Sequence, residues 1–244
     1  HVRLFTSGSA GLPARVHRAF AGRYGHAIVE RYGMTEVGIV LSNPIDGPRK
    51  PGSVGLPLPG VRARITGVQS GELLETGEVG EIRIAGASVF QGYLNQAEAT
   101  RAAVEDGWMH TGDLGFVDEE GYFYVVGRQK ELILTGGFNV YPAEVEAVLR
   151  DVAGVVDVAV FGVAHSDLGE VPHAAVVGTA TVANLQAHAD AMMAGYKVPR
   201  RFHVLSELPR NAMGKVLKQE LRRILSPPIL SPPILSPPIL SHPI

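Results

Sequence analysis

Apolar and polar positions change their rhythm twice along this chain. In "VRLFTSG" (2–8) a short apolar run enters a glycine turn, and "LPARVHRAFAGRYG" (12–25) then sets Leu12, Val16, Ala19 and Phe20 on one helical face before Gly25. "HAIVERYG" (26–33) is apolar again over a strand's length. This spacing predicts strand, helix, strand, the α/β order that favours a parallel sheet with functional loops at strand ends. From about residue 50 to 127 the rhythm shortens to β segments, "VRARIT", "VGEIRIAG" and "GYFYVVG", separated by glycine and proline turns, with one helix near 96–105. A third style follows "GRQKELILTGG". "YPAEVEAVLRD" predicts a helix with Pro142 near its first position and Val145, Val148 and Leu149 buried. "VVDVAVFGV", "HAAVVG" and "RRFHVL" predict strands, and "VANLQAHADAMMAG" a second helix. The boundary falls in the charged, aperiodic patch from Arg128 to Lys130, giving a first part over 1–129 and a small α+β unit over 130–223. Residues 224–244 hold a proline-rich repeat whose Pro-Pro pairs exclude helix interior and central strand, so the tail is expected to be disordered.

Composition narrows the partners. Of 244 residues, 45% are hydrophobic and 19% charged, the balance of a globular protein, and the net charge of −2 sets up no basic field for nucleic acid or anionic membrane. The absence of cysteine excludes disulfides and thiolate metal sites and fits a reducing, cytoplasmic setting. No apolar run approaches the roughly 20 residues of a membrane span, and the nine histidines show no zinc-protease spacing. The start, "HVRLFTSGSAG", has neither an initiating Met nor a signal-peptide pattern and reads as a chain cut from a longer one. A small-molecule partner fits best, and nothing in the pattern bears on oligomeric state.

Five glycine-punctuated stretches carry candidate chemistry: "TSGSAG" (6–11), "RYGMTE" (31–36), "MHTGDLG" (109–115), "GRQKELILTGGFNVYP" (127–142) and "LPRNAMGKVLK" (208–218). Tyr32 can stack on a planar base, Gly33 admits close backbone approach, Thr35 can donate to a phosphate oxygen and Glu36 can hold Mg²⁺. Those four residues equally suit a β-turn running into a helix, with Thr35 as cap, and taken alone that reading leads. Asp113 in a glycine-flanked turn can accept from vicinal ribose hydroxyls, or can simply satisfy its own turn. Arg128 and Lys215 are cations able to meet an anion or only water. His165 and Asp167 have no nucleophile motif to serve, because "TSGSAG" lacks the glycine that a nucleophile elbow needs two residues before Ser9.

Taken in order, the five stretches resemble the acyl-adenylate-forming superfamily, in particular its acid–CoA ligases. The resemblance spans about 1–223. It implies an α/β and β-rich C-terminal part of the large adenylate-forming domain, followed by a small α+β C-terminal domain. It also implies ATP, CoA and Mg²⁺ as reactants and cofactor, and a carboxylic acid as substrate. By matching position, Gly8, Ser9 and Ala10 belong to the nucleotide site, Tyr32 lies against adenine, Gly33 allows the backbone to approach the nucleotide, and Asp113 and Arg128 bind ribose. Thr35 contacts phosphate, Glu36 holds Mg²⁺, and Lys215 bridges the carboxylate and α-phosphate. Lys130 is the hinge, and Gly136 and Gly137 form a loop that reaches the pantetheine channel. The family's phosphate loop with its lysine would precede residue 1, so the chain is expected to be inactive alone. "SNPIDGPRKPGSVGLPLPGV" and its neighbours look most like malonyl-CoA synthetases, which take malonate or methylmalonate. Fatty or aromatic acid ligases, a peptide-synthetase adenylation domain and a non-catalytic interaction module are the competing readings.

Overall fold

A computed structural model describes residues 2–8, 10–212 and 214–226 of this chain. His1, Ser9, Met213 and the tail from residue 227, where the proline-rich repeat falls, lie outside the described residues. The first sheet runs in the order β1 (Thr6–Ser7), β2 (Val29–Met34), β3 (Gly38–Ser42) and β4 (Leu56–Pro57), and α1 (Ala14–Tyr24) crosses between β1 and β2. β1 and β2 are parallel, as the strand–helix–strand pattern predicts, while the other pairs are antiparallel. Gly25 ends α1 in the left-handed region (φ 68°), its N–H donating to the Ala21 carbonyl.

Three expectations change here. The strand expected over 2–8 is confined to Thr6–Ser7. β2 begins at Val29 rather than His26 and runs to Met34, and Thr35 caps no helix, because the chain turns straight back into β3. The inner face of α1 is not the Val16 side: Val16 and Ala19 are exposed, and His17 is buried with its Nε2 3.0 Å from the Ile28 carbonyl. Phe20 meets Phe5 edge-on at 5.0 Å. A polar residue thus anchors the helix because its ring satisfies the backbone just before β2, a contact that apolar periodicity does not register.

The second sheet is antiparallel: β5 (Arg62–Thr66), β6 (Gly80–Ala85), β7 (Val104–Glu105), β8 (Trp108–Val117) and β9 (Phe123–Arg128), with α2 (Ala97–Ala103) before β7. β8 pairs with β6 along one edge and with β7 and then β9 along the other. Val37 of the β2–β3 turn and Val40 and Leu41 of β3 pack with Ile65, Ile82, Ile84, Met109 and Phe123 from the second sheet, so the two sheets share one core. Buried Asn43 and Ser53 join them: the Asn43 amide donates to the Glu30 and Ser53 carbonyls, and the Ser53 hydroxyl donates to the Phe123 carbonyl. The stretch "SNPIDGPRKPGSVG" therefore spends its polar residues on the scaffold.

Beyond a 3₁₀ segment, Gln129–Glu131, the third sheet is built from β10 (Ile133–Thr135), β11 (Phe138–Val140), β12 (Val155–His165), β13 (Gly169–Gly178) and β14 (Arg201–Leu205), in the order β11-β10-β13-β12 with β14 parallel to β13. Along β12, Val158 and Val160 turn to α3 (Pro142–Arg150) and α4 (Val182–Met192), whereas Ala159, Phe161 and Val163 turn to the opposite face, where Leu221 of α5 (Lys218–Leu225) packs. This period of two buries both faces of the strand, so a one-residue slip would exchange them. The helix α5 had no place in the sequence pattern, yet it closes the second face with the buried Leu221. Among the described residues, no core cluster mixes residues before 124 with residues after 132.

Two glycine turns carry backbone constraints. A Cβ on Gly33 would fall 2.0 Å from the Gly38 carbonyl oxygen, so the β2–β3 hairpin itself requires glycine there. Gly136 (φ 56°) and Gly137 (φ 85°) stand between the paired Thr135 and Phe138, giving the two left-handed residues of a tight β10–β11 hairpin.

Gly33→Ala is expected to lose about 2 kcal/mol or more of stability with no ligand present. An unchanged denaturant midpoint would contradict the hairpin account. A pH dependence is also built into the third sheet, where His173 Nδ1 lies 3.2 Å from His203 Nε2. Burial, with the charges of His203 and Arg201, lowers the His173 pKa from 6.5 to about 4. The folded imidazole stays neutral while the unfolded one takes a proton near pH 6.5. Stability is thus fully present above pH 6.5 and falls as the pH approaches 4, by on the order of 2–3 kcal/mol. His173→Phe should flatten the fall in melting temperature between pH 7 and pH 4.5 relative to the unaltered chain, and an unchanged slope would refute the assignment.

Candidate functional site

The predicted site is organised by an irregularity in β8. Glu81 pairs with Leu114 and Arg83 with His110, so Thr111, Gly112 and Asp113 stand opposite Ile82 alone and the strand bulges. Gly112 takes the left-handed conformation (φ 66°) that such a bulge asks of it. The Thr111 hydroxyl donates to the Ile82 carbonyl at 2.6 Å and accepts the Asp113 N–H at 3.1 Å, replacing the ladder bonds the bulge removes. Gly115 is glycine because a Cβ there would lie 2.3 Å from the Tyr124 carbonyl oxygen. Asp113 is accordingly a bulged strand residue, not the turn residue expected from its flanking glycines.

The bulge turns the Asp113 carboxylate toward two donors. Tyr32 of β2 donates its hydroxyl to Oδ2 at 2.7 Å, and Nε of Arg128, the residue paired with Asp113 on β9, lies 2.8 Å from Oδ1. Asp113 is 4% exposed, and this burial pushes its carboxyl above the usual range. The Tyr32 hydrogen bond and the charges of Arg128 and Lys215 pull it back part of the way. Burial and the adjacent carboxylate drive the Tyr32 phenol upward, so it remains a donor. Each Asp113 oxygen keeps a second lone pair for a further hydroxyl.

Tyr32, Gly33, Asp113, Arg128 and Ala10 line one cleft of about 310 Å³, and Lys215 lines it too, from a loop some hundred residues on. That loop is held closed from within. The Lys215 N–H donates to Asn211 Oδ1 and the Asn211 N–H to the Lys215 carbonyl, both at 2.9 Å, and Gly214 turns with φ 81°. Arg210 reaches back to the Gly214 carbonyl and pairs with Asp157 of β12. Lys218, at the start of α5, pairs with Glu146 at 2.8 Å and Glu131 at 3.3 Å.

The remaining predicted residues lie apart from this cleft. Gly8 follows β1, where a Cβ would only touch Arg31, and Ser9 falls outside the described residues. Thr35 is exposed in the β2–β3 turn. Glu36, beside it, is half-buried and accepts the Tyr93 hydroxyl at 2.9 Å through Oε1, while Oε2 takes no hydrogen bond from the described residues. Among the described residues no group of three or more His, Cys, Asp or Glu gathers to hold a metal by itself. One carboxylate with a free oxygen nevertheless suits Mg²⁺, which takes one or two protein ligands and fills the rest with phosphate and water. Lys130 is exposed on the 3₁₀ segment, beside a second depression that it shares with Thr111, Gly112, Arg128 and Gln129. Gly136 and Gly137 form the β10–β11 turn.

Sequence reasoning missed Glu30, Tyr93 and Glu131. Glu30 is a buried carboxylate in the cleft wall, raised by burial, with Oε1 accepting the Leu12 N–H. Its place two residues before Tyr32 on one strand face was the available signal. Tyr93 and Glu131 lie far from their partners in sequence or in a charge-rich run, and no local pattern marks them.

Comparison with known proteins identifies the family. Residues 1–94 match the family described as AMP-binding enzyme, and residues 144–215 that described as AMP-binding enzyme C-terminal domain. A long-chain-fatty-acid–CoA ligase of Bacillus subtilis is 42% identical over 220 residues, covering 88% of this chain and 39% of the relative. A malonate–CoA ligase of Arabidopsis thaliana is 37% identical, covering 92% and 39%. The crystal structure of ATP-bound MatB from Rhodopseudomonas palustris superimposes with a TM-score of 0.87 at 47% identity, over 91% of this chain and 45% of that one. The chain thus spans less than half the length of these relatives. No helix among the described residues is long and apolar enough to cross a membrane. With both family regions matched and the five motifs in their expected order, the chain belongs to the AMP-binding, acyl-adenylate-forming enzyme family.

Proposed function

We propose that this chain is the C-terminal part of an ATP-dependent acid–CoA ligase. The supporting observation is that Tyr32, Asp113, Arg128 and Lys215, from four separate stretches, line one cleft. In this reading the acid carboxylate attacks the α-phosphorus of ATP, pyrophosphate leaves, and the CoA thiol then displaces AMP from the acyl carbon. Tyr32 walls the adenine while its hydroxyl holds Asp113. Asp113 accepts from the ribose hydroxyls with its remaining lone pairs, and Arg128 keeps that carboxylate charged and oriented. Lys215 faces Asp113 across the cleft and is placed to neutralise charge on the α-phosphate and the incoming carboxylate. Thr35 donates to phosphate and Glu36 offers its unbonded oxygen to Mg²⁺. When bound, that ion screens the charge of the pyrophosphate leaving group.

The chain divides at 129/130 in this account, and Lys130 is the hinge. Its three-residue segment, with Gln129 and Lys130 exposed and Glu131 half-buried, links two clusters that do not mix among the described residues. Rotation there would withdraw Lys215 and turn the Gly136–Gly137 hairpin toward the pantetheine arm of CoA. Malonate or methylmalonate is the favoured acid, on the resemblance in sequence and the likeness to a malonate–CoA ligase. A fatty acid is the alternative, favoured by the 42% identity to the Bacillus enzyme.

A chimera joining this chain to the preceding portion of Rhodopseudomonas palustris MatB tests the proposal. It should form AMP with an acid and CoA across a panel of malonate, methylmalonate, octanoate and coumarate. Lys215→Ala should cut acyl-adenylate formation by roughly three orders of magnitude or more while sparing thioester formation from preformed acyl-AMP. No AMP with any acid would overturn the ligase reading, and equal loss of both half-reactions would overturn the role of Lys215.

A further inference from the structure

The Asp113 bulge has a support that the reading above leaves without a role. Glu81 of β6 is 4% exposed, and both its carboxylate oxygens are engaged. Oε1 accepts the Gly112 N–H at 3.1 Å, a donor that the bulge has taken out of the strand ladder. Oε2 lies 3.0 Å from His110 Nδ1 and 3.4 Å from Arg83 Nε, and His110 and Arg83 each approach Glu105 of β7 through their other nitrogens. A buried carboxylate is costly unless its lone pairs are filled, and here every partner but one comes from the flanks of the bulge or the strand beside it. The exception is the backbone of Gly112, the residue whose left-handed turn aims Asp113.

We propose that Glu81 is a positioning residue for nucleotide binding: its Oε1 pins the Gly112 amide, fixes the bulge, and so sets the direction in which Asp113 meets the ribose. This deepens the reading of Asp113 as the ribose ligand and rests on it. Glu81 touches no ligand itself. His110 and Arg83 hold its second oxygen, so that the first stays on Gly112. Loss of the acceptor would free the amide, let the bulge relax, and loosen Asp113 relative to Tyr32 and Arg128 without emptying the cleft.

The test is calorimetric titration of this chain with AMP and with 2′,3′-dideoxy-AMP, which lacks the hydroxyls Asp113 would receive. The unaltered chain should prefer AMP by about tenfold or more. Glu81→Leu, which fills the space without an acceptor, should reduce that preference to within about twofold while leaving affinity for the dideoxy nucleotide unchanged. Glu81→Gln, which keeps an acceptor for Gly112, should retain most of it. Asp113→Ala should abolish the preference, and Glu81→Leu added to it should change nothing further. If Glu81→Leu does not fold, Glu81→Asp decides, because the shorter side chain draws the acceptor away from Gly112 and should lose part of the preference. Full ribose preference in Glu81→Leu or Glu81→Asp would overturn the proposal, as would equal weakening of both nucleotides. Absence of any preference in the unaltered chain would instead overturn the Asp113 reading, and the proposal with it.

Discussion

Asp113 is a carboxylate taken almost entirely out of water, and the site follows from how that cost is met. The Tyr32 hydroxyl, the Arg128 guanidinium and the more distant charge of Lys215 all act on it. These groups come from the first sheet, the second sheet and the loop before α5, so one buried anion ties three parts of the chain to a common cleft. Removing any one donor would leave a buried charge short of a partner, which typically costs more than the pair contributes. The cleft is therefore defined by an electrostatic requirement as much as by shape.

That requirement is met differently on its two sides. Tyr32 and Arg128 are fixed by strands whose cores are shared or adjacent, whereas Lys215 stands on a short loop closed by Asn211 and braced by Arg210 and Lys218. The bonds of Arg210 and Lys218 that brace the Lys215 loop go to residues after 130, and among the described residues no core cluster crosses that point. In the proposed reading, a unit so braced would turn about Lys130 without disturbing its own packing. This is the property that two half-reactions sharing one site would use.

Much of this was legible in the residues. The parallel β1–β2 pair, the longer strands β5, β6, β9, β12, β13 and β14 and four of the five helices among the described residues follow from the residue pattern, whereas β3, β8 and the short strands do not, and the order of five short motifs identified the family. What periodicity misread has physical reasons. Val16 and His17 exchanged places on α1 because a ring nitrogen satisfies the Ile28 carbonyl. Gly33 and Gly136–Gly137 looked like sites of ligand approach, and each has a backbone demand of its own in a hairpin. Asp113 looked like a turn residue because a bulge borrows turn residues, Gly112 and Gly115, while remaining in a strand. Glu81 was invisible as anything but half of a Gly-Glu pair, since its partner is a backbone amide on the neighbouring strand.

The central claim is that this cleft receives an adenosine nucleotide with its ribose on Asp113. A crystal structure of the chain with AMP tests it most directly. The account predicts the adenine against Tyr32 and both ribose hydroxyls within hydrogen-bonding distance of the Asp113 carboxylate, with Tyr32 and Arg128 still on its oxygens. AMP bound elsewhere on the chain, or in the cleft with its ribose turned away from Asp113, would contradict it.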